Sequence, residues 1–300
     1  MPLVASIGII GGMGPWVDPL LLGKLLSYQA ALGMRRDQQA IPVLLAQFSP
    51  LFEDRTEYLS ALARGNPGEN PAVAAAAVAR LLASGGARVL GIPCNTFHAP
   101  PIFDRFRQEI ADLTVGEDGL QVVHMIRALL ETLSGRLPAV RRVGVLSTTG
   151  TFLQRIYADA LRERGLEPVT PAYDPHPRPP DERAARLHAI LSGRAAPEQQ
   201  DVHEAIANPE WGIKSGRGAA EGYPEPKAIL KAAARRLAEA GAEALILGCT
   251  EIPLALTPAD LPELPMLDPL DALARGLVDA WRARFNPAWP AARALPSLPA

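Results

Sequence analysis

The chain has 300 residues, 48% of them hydrophobic, and its 30 basic side chains nearly balance 32 acidic ones, for a formal net charge of −2. This balance, without a long basic run, argues against nucleic acid or an anionic membrane surface as a partner. No apolar stretch reaches the roughly 18 residues needed to span a bilayer.

Short apolar runs alternate with longer helical stretches. MPLVASIGIIGG has no basic n-region and soon meets Gly8, Gly11 and Gly12, so it reads as a first strand rather than a signal peptide. DPLLLGKLLSYQAALGM has helical spacing, and IPVLLAQFSP is a second strand. AVAAAAVARLLASGG is an Ala- and Leu-rich helix stopped by Gly-Gly, and ARVLGIPC returns to a strand. After the VGEDG turn, VVHMIRALLETLSG reads as a strand tip leading into a helix. RVGVLST, FLQRIYADALRERG and PKAILKAAARRLAEAGAEALILGC continue the alternation. Strands alternating with helices predict parallel βαβ units and an α/β fold. The segment 171–200 starts proline-rich and becomes a polar helix, which reads as an insertion. NPAWPAARALPSLPA lacks periodicity and reads as a tail.

The chain also resembles itself. IGIIGGMG (7–14) parallels VGVLSTTG (143–150), and QVVHMIRAL (121–129) parallels PMLDPLDAL (265–273). GARVLGIPCNTFHAPP (86–101) parallels GAEALILGCTEIPLA (241–255), each with Gly-Ala, a charged residue, an apolar run, Cys and small polar residues. Their shared order predicts a duplicated α/β unit.

Those last two segments hold both cysteines of the chain, Cys94 and Cys249. Two thiols make no disulfide framework, and CxxC or clustered Cys/His spacings are absent, so reduced thiols in a cytoplasm and no metal site are expected. A lone strand cysteine is most often a small core hydrophobe. Here each stands at an expected strand exit, where parallel α/β sheets collect ligands, and is followed by Asn95-Thr96 or Thr250-Glu251. If two similar halves face each other, the thiols oppose across one cleft. One can take a proton from one face of a carbon while the other supplies a proton to the opposite face.

These residues carry a specific resemblance. IGIIGGMGP (7–15), EDRTEYL (53–59), GIPCNTFHA (91–99), VGVLSTTGT (143–151), GIKSG (212–216) and LGCTEIPL (247–254) resemble, in order, the aspartate/glutamate racemase family, most closely its aspartate racemase branch. The resemblance implies two pseudo-symmetric α/β domains with mainly parallel sheets flanked by helices, and an active site in the interdomain cleft. It implies residues 1–117 plus 271–300 as the first domain, the C-terminal helix returning to it, and 118–270 as the second, with an insertion near 172–198. It further implies catalysis by Cys94 and Cys249 without pyridoxal phosphate or another cofactor, an acidic amino acid as substrate, and a homodimer.

By the same resemblance Arg55 holds one substrate carboxylate, through the paired hydrogen bonds a guanidinium can form, and Lys214 contacts the other. Otherwise both read as surface cations. Asn95, Thr96, Thr149 and Thr250 offer donors at strand ends and helix starts, where they equally suit capping. Gly11, Gly12 and Gly14 match neither a dinucleotide fingerprint nor a P-loop. They read as a turn bringing backbone close to a small anionic ligand, with Met13 nearby. Glu251 would raise the pKa of a thiol it touched, and His98 reads equally as a helix-start residue. Trp16-Val17-Asp18 departs from the family pattern of small polar residues at a place that would reshape the pocket rim, and the insertion could form a lid.

Three functions compete. The first is racemisation of aspartate or a similar acidic amino acid. The second is another reaction of the superfamily, such as maleate isomerisation or hydantoin racemisation, which GGMGP and the Asp-Arg-Thr segment disfavour. The third is a non-catalytic carboxylate-binding relative, which the presence of both thiols disfavours.

Overall fold

The computed structural model describes residues 5–116, 118–171, 180–191, 194, 196–217, 222 and 224–287. In chain order, β1 (Ser6–Gly11) leads to α1 (Asp18–Ala31), β2 (Val43–Gln47), α2 (Arg55–Ala63), α3 (Pro71–Ser84), β3 (Ala87–Gly91), α4 (Pro100–Glu109), β4 (Gln121–Val122) and α5 (Met125–Arg136). There follow β5 (Arg142–Leu146), α6 (Thr149–Leu153), α7 (Ile156–Arg162), β6 (Glu167–Val169), α8 (Pro180–Leu191), α9 (Pro197–Ala207), α10 (Pro226–Glu239), β7 (Ala244–Leu247), β8 (Met266–Leu267) and α11 (Pro269–Phe285).

The strands form two four-stranded sheets, ordered β2-β1-β3-β4 and β6-β5-β7-β8. Every pairing is parallel. The two orders are equivalent, so β1, β3 and β4 correspond to β5, β7 and β8. Parallel strands are covered on both faces, which is why the central ones read as unbroken apolar runs. Every residue of β1 and of β7 is buried. Helix starts follow local chemistry: Asp54, Asn70 and Asp268 cap α2, α3 and α11 by accepting from backbone N–H groups, and Pro71 and Pro269 follow two of those caps.

One expectation needs correcting. The expected first-domain boundary at 117/118 precedes β4, yet β4 pairs with β3 at Val89–Gln121 and Leu90–Val122. The strand completing the first sheet comes after the VGEDG turn, so that sheet closes later in the chain. The segment FLQRIYADALRERG spans the end of α6 and all of α7, which Arg155 separates by adopting a left-handed conformation (φ 55). α11 packs against α1, α5, β1 and β3. Of the expected insertion, 172–179 lie outside the described residues, as do 288–300 of the tail; α8 packs on α2 and α6, and α9 on α10. Among the described residues no helix is long and apolar enough to cross a membrane.

Candidate active site

β3 ends at Gly91 and β7 at Leu247, and the loops leaving those equivalent strands carry Cys94 and Cys249. Each cysteine is 6% exposed. Both line one narrow cavity together with Met13, Asp54, Arg55, Thr56, Asn95, Thr96, Thr148, His203, Ala207, Lys214, Thr250 and Glu251. Of the expected binding residues, Met13, Arg55, Asn95, Thr96, Lys214 and Thr250 are thus on the lining. Thr149 is not: its side chain is fully buried, and the preceding Thr148 faces the cavity instead.

The two halves are joined around this cavity. Thr96 Oγ1 lies 2.8 Å from Thr151 Oγ1 and 3.3 Å from Thr148 Oγ1. Tyr157 donates its hydroxyl to Asn95 Oδ1. Thr250 Oγ1, whose proton also faces Glu251, lies 3.4 Å from the Pro93 carbonyl oxygen.

The thiols sit in opposite electrostatic settings. Cys249 Sγ donates to Glu251 Oε2 over 2.9 Å. Burial, and then the Glu251 charge, push this thiol well above its ordinary pKa, so it stays protonated. Glu251 Oε2 also accepts from Thr250 Oγ1 (3.1 Å), while Oε1 lies 3.7 Å from Lys214 Nζ. That carboxylate holds the ammonium above its ordinary pKa despite burial. Cys94 instead has the Arg55 guanidinium as its charged neighbour on the same cavity lining. The guanidinium is fixed by donating to the Glu53 carbonyl (2.9 Å) and the Met13 carbonyl (3.3 Å). Burial would raise the pKa of Asp54, but Arg55, Lys214 and the α2 backbone N–H groups bring it below its usual value.

The glycine turn differs from expectation. Gly12 (φ 91) donates its N–H to Asp18 Oδ2 over 2.9 Å, and a Cβ on Gly14 (φ 135) would collide with Glu251 Oε1. The close approach expected for a small anionic ligand is made by the chain's own carboxylates. Burial raises the Asp18 pKa, and Gln47 Nε2 donates to the same oxygen over 2.8 Å. Trp16 is not on the cavity lining, and it lies so close to Gly216 (φ 69) that a Cβ there would collide with the indole. Trp16 thereby stands against Gly216, the C-cap of the 3₁₀ turn Ile213–Ser215 that carries Lys214.

His98 is a strut. The Met125 N–H donates to Nε2 (3.3 Å), so Nδ1 carries the proton and donates to the Cys94 carbonyl (2.9 Å). Burial, then neighbouring His124, lowers its pKa to about 3. Sequence reasoning missed Asp54, Thr56, Thr148, His203 and Ala207. The buried stripe Val202, Ala205, Ile206 on α9 offered a signal for the last two, since it orients that helix against the core. Among the described residues no group of three His, Cys, Asp or Glu side chains is placed to hold a metal ion.

Comparison with known proteins adds to this geometry. The family model described as Asp/Glu/Hydantoin racemase matches residues 26–208 and 182–277. A glutamate racemase from Mycobacterium leprae is 30% identical over 172 residues, which cover 56% of this chain and 46% of that protein. The match therefore spans about half the length of that curated relative. Picrophilus torridus aspartate racemase superposes with a TM-score of 0.60 at 21% identity, covering 92% of this chain and 94% of that one. An aspartate racemase homologue from Pyrococcus horikoshii OT3 gives 0.56 at 22% identity, covering 92% and 98%. At these identities the solved structures speak for the fold.

Proposed function

The chain belongs to the Asp/Glu/Hydantoin racemase family, and on that premise we propose that it is a cofactor-independent racemase of an acidic amino acid, aspartate before glutamate, with Cys94 and Cys249 as its two bases. One observation carries the reading: both thiols line a single cavity that also holds two cationic side chains, Arg55 and Lys214. Two cations suit a substrate with two carboxylates.

In the reaction, the Cys94 thiolate takes the α-proton from one face, breaking the C–H bond and forming S–H. The electron pair stays on the α-carbon and spreads into its carboxylate, which fixed cationic donors stabilise. The Cys249 thiol then delivers its proton to the opposite face and becomes the thiolate. The product is the mirror image, and the reverse reaction starts from the exchanged protonation states. The resting arrangement supports this division, since Arg55 stands beside Cys94 and Glu251 keeps Cys249 protonated. The same reading makes the protein a cytoplasmic homodimer of two-domain subunits, which rests on the family resemblance.

Incubation with L-aspartate in deuterium oxide tests it. Deuterium should enter the α-position as optical rotation is lost, and Cys94→Ser or Cys249→Ser should each lower racemisation by about 10²–10⁴-fold. Absence of exchange with every acidic amino acid would leave a carboxylate-binding relative.

A further inference from the structure

α9 brings one side chain to the cavity that the mechanism above does not use. The Thr149 backbone N–H donates to His203 Nδ1 over 3.2 Å. An amide N–H can only donate, so Nδ1 is the bare nitrogen, and in a neutral ring the proton sits on Nε2. Burial, the largest influence, lowers the pKa of this ring and keeps it neutral at neutral pH. Nε2 has no hydrogen-bond partner among the described residues, and the ring lines the cavity. The backbone thus holds an unused N–H donor at the site.

We propose that His203 is a substrate-binding residue whose Nε2–H donates to the side-chain carboxylate of an acidic amino acid held with its α-carbon between Cys94 and Cys249. This rests on the racemase reading. Asn95, Thr96 and Thr250 ride on the same loops as the thiols, so they reach the groups around the reacting carbon. His203 and Lys214 come from a separate wall, α9 and the 3₁₀ turn packed against it. A neutral donor and an ammonium serve the two oxygens of one carboxylate, and neutrality spares the repulsion that a second cation beside Lys214 would bring. An apolar substrate side chain would leave this cavity-lining N–H without its partner, which discriminates more strongly than shape alone.

Calorimetric titration with succinate and with propionate tests this on the full chain. Asn can replace Nδ1 as the acceptor for Thr149 without supplying a donor at the Nε2 position; Gln can supply that donor. Succinate affinity should fall about tenfold in His203→Asn and return towards wild type in His203→Gln, as expected for one hydrogen bond to a charged group. Propionate affinity should be the same in all three proteins. In the unmutated protein, saturating succinate should move the ¹⁵N resonance of His203 Nε2 and leave Nδ1 in place, a readout independent of how the variants fold. Unchanged succinate affinity in His203→Asn, an equal loss for propionate, a still Nε2 resonance or no succinate binding by wild type would each overturn the assignment. The racemase reading fails separately: the succinate pattern without α-proton exchange removes the reaction and keeps His203 as a carboxylate ligand.

Discussion

Cys249 Sγ donates a hydrogen bond to Glu251 Oε2 over 2.9 Å, and no carboxylate stands in the same relation to Cys94 among the described residues. Two thiols equally hidden from solvent therefore have different neighbours, and Cys249 is the one that burial and a carboxylate hold protonated. The duplicated fold supplies equivalent strand ends, while the residues around each sulfur break the equivalence.

That difference predicts an order of alkylation. Iodoacetamide at neutral pH should modify Cys94 before Cys249, read by peptide mass spectrometry. Burial and then Glu251 raise the Cys249 pKa, so Glu251→Gln should lower it and speed labelling of that residue. Equal rates for both thiols in wild type would contradict the asymmetry.

Lys214 and Glu251 should prove coupled. Glu251 is 1% exposed, and Lys214 Nζ lies 3.7 Å from its Oε1. Lys214→Met leaves that carboxylate without this cation, so the single variant should lose about 1–3 kcal/mol of stability. Glu251→Gln should then cost less in the Lys214→Met background than in wild type, measured by urea unfolding in a double-mutant cycle. Additive losses would mean that the pair does not interact.

His98 predicts acid lability. Its folded pKa of about 3 lies below the ordinary 6.5, so the unfolded chain binds the proton more readily. The stability from keeping this ring neutral is present above pH 6.5 and is lost as pH falls towards 3. The loss should be on the order of a few kcal/mol. His98→Asn should flatten the dependence, leaving a smaller slope from His124, whose pKa burial lowers to about 4. An unchanged pH profile of the unfolding midpoint would refute this.

Gly216→Ala should disturb the Lys214 turn twice over. The residue sits at φ 69, which costs a side-chain-bearing residue about 1–2 kcal/mol, and its Cβ would strike Trp16. KM for an acidic substrate should rise more than kcat falls. Adding Trp16→Ala should recover the steric part and leave the backbone part. Complete recovery in the double variant would show that the backbone conformation contributes nothing.

What could be read in advance follows from which forces are local. β1, β3 and β7 were legible because strands buried on both faces need continuous apolar runs, and the thiols were legible because polar residues follow each run. β4 and β8 were harder, since two residues gain strand identity from partners far along the chain. Thr149 is off the lining and Thr148 is on it because neighbouring threonines at a helix start differ in backbone direction, which their shared side chain does not announce. Arg155 occupies a left-handed conformation with no glycine to announce it. Asp18 departs from the family pattern in the sequence, but its return to the Gly12 N–H depends on how α1 sits over the turn. His203 lies far along the chain from both thiols, and only the docking of α9 delivers it.

The contacts that cross between the halves, from Thr96 to Thr151, Tyr157 to Asn95 and Thr250 to Pro93, surround a cavity with little free room. On the proposed reading, an amino acid needs more room beside the sulfurs than this cavity holds. Entry would then load the crossing contacts before any proton moves, and weakening one of them would be felt in turnover.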